Sequence, residues 1–132
     1  MMNLKYTSAA VAFTVVLALT AFALDAKYQP IADAMKFANK APKGEKNISD
    51  KIIEGTVSDE DLKKTLDLYK AMANTEPPKG DPAAFKEQVA KLISATEDVV
   101  AKKDGAQAAY KEAVNCKKCH TDFKPAPEPK KP

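Results

Sequence analysis

The 132-residue chain contains no arginine, one histidine and two cysteines. Each shortage narrows what the protein can be. Without arginine, every fixed positive charge is a lysine. The 21 lysines face 18 acidic residues, for a formal net charge of +3. So small an excess, spread through helical stretches, does not make the concentrated basic face that nucleic acid requires, and the lysines read as a solvated surface. One histidine and two cysteines fall short of the four Cys or His ligands that a structural zinc usually takes. Period-2 alternation of the strand type is missing, as is any internal repeat. Only one apolar run is long, and it lies at the N-terminus.

That run extends from Ala9 to Leu24 behind a short segment charged only at Lys5, and ends near Ala21-Phe22-Ala23. A positive start, an apolar stretch and a small-x-small site together predict a cleaved secretory signal over 1–23. The alternative, a retained anchor, is disfavoured because the run is shorter than the roughly 20 residues needed to cross a bilayer as a helix. The expected mature protein is periplasmic or otherwise exported, with no stable membrane anchor. Without Lys5, 20 lysines face the 18 acids.

The remainder predicts an all-α domain over 24–123. Pro30 suits the first turn of a helix, whose inner face carries Ile31, Ala34, Met35 and Ala38. Pro42 and Gly44 break it. A short second element presents Ile48, Ile52 and Ile53 and stops at Gly55. Ser58 is the expected N-cap of a helix striped by Leu62, Leu66, Tyr69 and Ala73 and flanked by Leu68 and Met72, with Asp59, Glu60 and Asp61 at its positive end. Asp81 and Pro82 open another, striped by Phe85, Val89, Leu92, Ile93, Thr96, Val99 and Val100. Lys102 and Lys103 follow, and Gly105 is expected to close it. A last helix is predicted from about Gln107 to Phe123. Residues 124–132, four of them proline, cannot build a helix interior and read as a disordered tail. Four amphipathic helices with short links predict an antiparallel up-down four-helix bundle.

The chemistry lies in Cys116-Lys117-Lys118-Cys119-His120. C-x-x-C-H is the attachment signature of a c-type haem, with two thioethers from Cys116 and Cys119 and a proximal iron ligand from His120. On a helix these positions are i, i+3 and i+4 and share one face. A Cys116–Cys119 redox disulfide needs a strand-to-helix setting that this chain lacks, and a chance surface histidine would have to fall beside the only two cysteines. One covalent haem c is the expected cofactor. With His120 so used, no second histidine remains for the other side of the iron and none for a nucleophile–base pair, so no enzyme is expected.

The position of the motif near the C-terminus, and its continuation Thr121-Asp122-Phe123-Lys124, resemble the ending of the class II cytochromes c, the cytochrome c-prime family. Lys124 stands where arginine is commoner in that family. The resemblance covers most of the chain in helix order, but only the haem motif and its sequel are specific. It implies a four-helix bundle with haem on the last helix. In low-spin members a methionine early in the first helix supplies the sixth ligand, which places Met35 as the expected distal ligand. Met72, or a site left open, are the alternatives. The function implied is electron transfer with His/Met-ligated iron; the rival is a five-coordinate protein that binds nitric oxide or carbon monoxide. Expected partners are redox proteins with an acidic patch that docks near Lys117 and Lys118, and a homodimer is compatible with the reading.

Overall fold

The computed structural model describes residues 26–126. The expected leader over 1–23 and the proline-rich tail beyond 126 lie outside the described residues. Among those described, every regular element is helical. No helix there is long and apolar enough to cross a membrane.

Helix α1 covers 26–39 and buries Ala34 and Ala38 completely. It begins at least a turn before Pro30, so the proline sits deeper than expected, where its missing N–H forfeits a bond to the carbonyl one turn back. A turn with Glu45 N–H donating to the Pro42 carbonyl (3.0 Å) leads to α2, Ile48–Glu54. Asn47 caps that helix by accepting from the Asp50 N–H, and Gly55, at φ 74°, ends it as expected.

Helix α3, Asp59–Ala73, is capped by the Ser58 side chain. Its buried stripe is Leu62, Thr65, Tyr69 and Met72, with Leu66 and Ala73 half-buried at the edge. The stripe is thus rotated from the expected one. Thr65 tolerates burial because its hydroxyl donates to the Asp61 carbonyl at 2.7 Å, leaving no unsatisfied donor. Helix α4, Pro82–Val100, starts as expected: Asp81 accepts from the N–H groups of Ala83 and Ala84, and Pro82 stands in the first turn.

The end of α4 departs from expectation. Lys102, at φ 55°, takes the left-handed position, with its N–H to the Val99 carbonyl and that of Lys103 to the Asp98 carbonyl. This is a Schellman end built on a lysine, at a cost of about 1 kcal/mol relative to glycine. Gly105 instead precedes α5, Ala106–Ala113, as its N-cap. The predicted last helix is also interrupted. It divides into α5 and α6, Cys116–Phe123, across Val114 and Asn115.

Among α2–α6, α3 packs mainly on α4 and α4 on α5, with α2 against α5 and α3. Helix α6 has no comparable backbone contact with α2–α5 and is held by its C-terminal end. Phe123 is buried there, edge-on to Phe85 with ring centres 5.3 Å apart. Lys79 Nζ donates to the Thr121 carbonyl at 3.2 Å. Gly80, at φ 82°, passes so close that a Cβ would lie 2.5 Å from the Asp122 carbonyl oxygen, so only glycine fits. Pinned at its C-terminal end, α6 borders a cavity between itself and the core.

Candidate functional site

Asn115 determines where the motif begins. Its backbone (φ −48°, ψ 84°) leaves the helical region, and its side chain accepts from the Lys118 N–H at 3.1 Å. A short amide that caps the following turn outcompetes helix continuation. Cys116 is therefore the first residue of a fresh helix, and Cys119 and His120 share its face.

The three side chains border the space beneath α6. Cys116 and His120 are exposed and Cys119 is half-buried. Burial pushes the Cys119 thiol above its usual range, with Cys116 and Asp122 adding to the effect and Lys118 opposing it. A cavity of about 200 Å³ is lined by all three together with Met35, Tyr69, Met72, Val89, Leu92 and Val114. An adjoining hollow of about 420 Å³ is lined by Cys119, His120, Met35, Met72, Ile31, Phe85 and Phe123, with Lys36, Lys40 and Lys124 also on its wall. Met35, Asn39, Met72, Cys119 and His120 belong to both.

Of the residues singled out in the sequence, Cys116, Cys119, His120 and Met35 therefore meet at one place. Met72 reaches it too, but as a buried core residue at 3% exposure, whereas Met35 is half-buried. Lys117 and Lys118 are exposed on the outer side of α6; Lys118 pairs with Asp122 one turn on, at 3.1 Å. That ion pair is open to solvent and contributes little.

Four residues around the site carried no functional signal in the sequence. Asn39, Ser49, Tyr69 and Tyr110 form one buried or half-buried polar chain. Ser49 Oγ donates to Asn39 Oδ1 at 2.8 Å, and 2.9 Å separates each of the pairs Ser49 Oγ–Tyr110 Oη and Tyr69 Oη–Tyr110 Oη. Asn39 Nδ2 donates to Met35 Sδ at 3.5 Å. Burial raises the pKa of both phenols above its ordinary value, most strongly for Tyr110, so both stay neutral. Only Tyr69 belonged to an apolar stripe; the other three lie on three different elements, and nothing in their sequence spacing links them. A further tie, Gln88 Nε2 to the Ala113 carbonyl at 3.0 Å, fixes the end of α5 beside the cavity.

Among the described residues no cluster of three or more His, Cys, Asp or Glu side chains is arranged to hold a metal ion. Comparison with known protein families, curated proteins and solved structures finds no match.

Proposed function

We propose that the chain is an exported monohaem c-type cytochrome that carries electrons, with haem bound through Cys116 and Cys119 and iron held by His120 and Met35. In this reading α1, α3, α4 and the broken α5–α6 pair are the four members of an antiparallel bundle, with α2 a short crossing piece. The observation that carries the proposal is the convergence of Met35, from the first helix, with Cys116, Cys119 and His120, from the last, on one apolar space.

The residues present fit a haem in kind. Two thiols and an imidazole at i, i+3 and i+4 match a macrocycle held by two thioethers and one coordinate bond. The space is walled by Val89, Leu92, Ile31, Phe85 and Phe123, side chains suited to the apolar faces of a flat ring. The larger hollow has the size of ordinary cofactor pockets, about 300–1,000 Å³. Lysines 36, 40 and 124 supply cations for the propionates. Bound haem supplies one-electron chemistry, and a methionine ligand raises its reduction potential. The protein's part is to fix the ring covalently, present the thioether and exclude water.

The visible spectrum of the purified protein tests the reading. A low-spin oxidised form with the weak far-red band of iron–methionine bonding is expected. Met35→Ala should turn the iron high-spin, admit carbon monoxide readily and lower the potential. Met72→Ala should leave all three unchanged while lowering stability by roughly 2–5 kcal/mol in urea unfolding, as core methionine truncations do. A high-spin wild type that binds carbon monoxide or nitric oxide readily would replace the electron carrier with the gas-binding reading.

A further inference from the structure

The polar chain behind Met35 has a fixed direction. Asn39 Oδ1 can only accept, so the single hydrogen of Ser49 is spent on it at 2.8 Å. Tyr110 must then donate to Ser49, and Tyr69 to Tyr110, each across 2.9 Å. A hydroxyl has one proton to give, so no link can reverse while Asn39 keeps this orientation. The amide nitrogen, which carries two hydrogens, then donates to Met35 Sδ, 3.5 Å away. Rotating the amide by half a turn would set its oxygen against the sulfur and lose that bond. As arranged, no buried side-chain polar atom among the described residues lacks a partner.

The chain also joins separate parts of the fold. Asn39 ends α1, Ser49 lies in α2, Tyr69 in α3 and Tyr110 in α5. Tyr69 and Tyr110 are completely buried and Ser49 is 5% exposed. Packing on four helices therefore fixes the orientation of one amide. Methionine is the side chain that most needs such help, because three rotatable bonds let it adopt many positions.

We propose that Asn39 is a positioning residue for the Met35 thioether, held in its donating orientation by the one-way chain Tyr69–Tyr110–Ser49. The inference rests on the reading of Met35 as an iron ligand. A sulfur that accepts one N–H bond retains a second lone pair for the metal. Keeping the thioether on the iron also holds the potential up, because a methionine ligand raises it. Outer partners of this type commonly orient and tune a metal's ligands.

The test uses the haem-loaded protein with Asn39→Leu, Ser49→Ala and Met35→Ala. Asn39→Leu keeps the side-chain volume and removes the donor. It should speed carbon monoxide binding to the reduced form by about fivefold, the equivalent of one ordinary hydrogen bond. It should also weaken the far-red band and lower the potential. Ser49→Ala, which touches neither iron nor sulfur, should shift the same three readouts in the same direction by less. If Asn39→Leu does not fold, Ser49→Ala alone decides. Wild-type values for all three readouts in the folded variants, with Met35→Ala shifting them, would overturn the role of Asn39 and leave Met35 ligation standing. Met35→Ala matching wild type, or a chain without covalent haem, would overturn ligation and positioning together.

Discussion

Single residues here act through what they exclude or lock. Tyr69 and Tyr110 are large, buried and polar, a combination tolerated only because each hydroxyl has a partner. Burial keeps both neutral in the fold beyond the pH at which an unfolded tyrosine ionises, about 10. The unfolded chain therefore loses these protons first, and the contribution of the pair to stability, fully present below about pH 10, declines above it. Urea midpoints measured from pH 8 to 11 should fall at the alkaline end, and Tyr110→Phe should flatten that fall while lowering stability at pH 8. An alkaline slope identical in Tyr110→Phe would assign the decline to other groups. That Cys116, Cys119 and His120 share one face was legible in the sequence because it depends on local spacing alone. The Tyr–Ser–Asn chain was not, because its members meet only after four helices have packed.

Among the elements, boundaries written in a strong local signal were read correctly, and those set against the cheaper local candidate were not. Ser58 and Asp81 cap where expected because an N-cap is a side-chain bond to the next turn, written within four residues. The close of α4 was misplaced because Lys102 accepted a left-handed conformation for which Gly105 was the cheaper candidate. The break before α6 was missed although Asn115 is a strong capping residue. The run from Gln107 to Phe123 keeps a helical composition throughout, and one asparagine does not announce an interruption. If Asn115 creates the start of α6, Asn115→Ala should cost about 1 kcal/mol, the usual value of a lost N-cap. Chemical denaturation of the purified protein would measure it. Unchanged stability would mean that the docked Phe123 end alone determines where α6 lies.

At the scale of the whole molecule, the core and the site are continuous. Met72, Val89 and Leu92 serve both, lying in the buried core and lining the space under α6. On the proposed reading, Cys116→Ser and Cys119→Ser together remove covalent haem, and the chain is expected to be loosely packed. Near-ultraviolet circular dichroism and a broadened unfolding transition would report it; a cooperative transition at the wild-type midpoint would show that the fold stands without the group. The outer surface of α6 bears Lys117 and Lys118, both exposed. If an acidic partner docks there, the attraction is screened over about 8 Å at physiological salt. Electron-transfer rates with an anionic partner should then drop as salt is raised, and drop less steeply in Lys117→Glu/Lys118→Glu. A salt-independent rate would move the docking surface elsewhere.

The interruption at Val114 and Asn115 also bears on how the gene can vary. In an unbroken helix, each inserted residue would turn everything downstream by about 100° and swing both thiols and the imidazole away from the cavity. Here the eight residues of α6 carry their own beginning at Asn115 and their own anchorage at Phe123 and Gly80. A length change between α5 and α6 would fall in the link and leave the spacing within α6 untouched, so the spacing that matters is inherited as a unit.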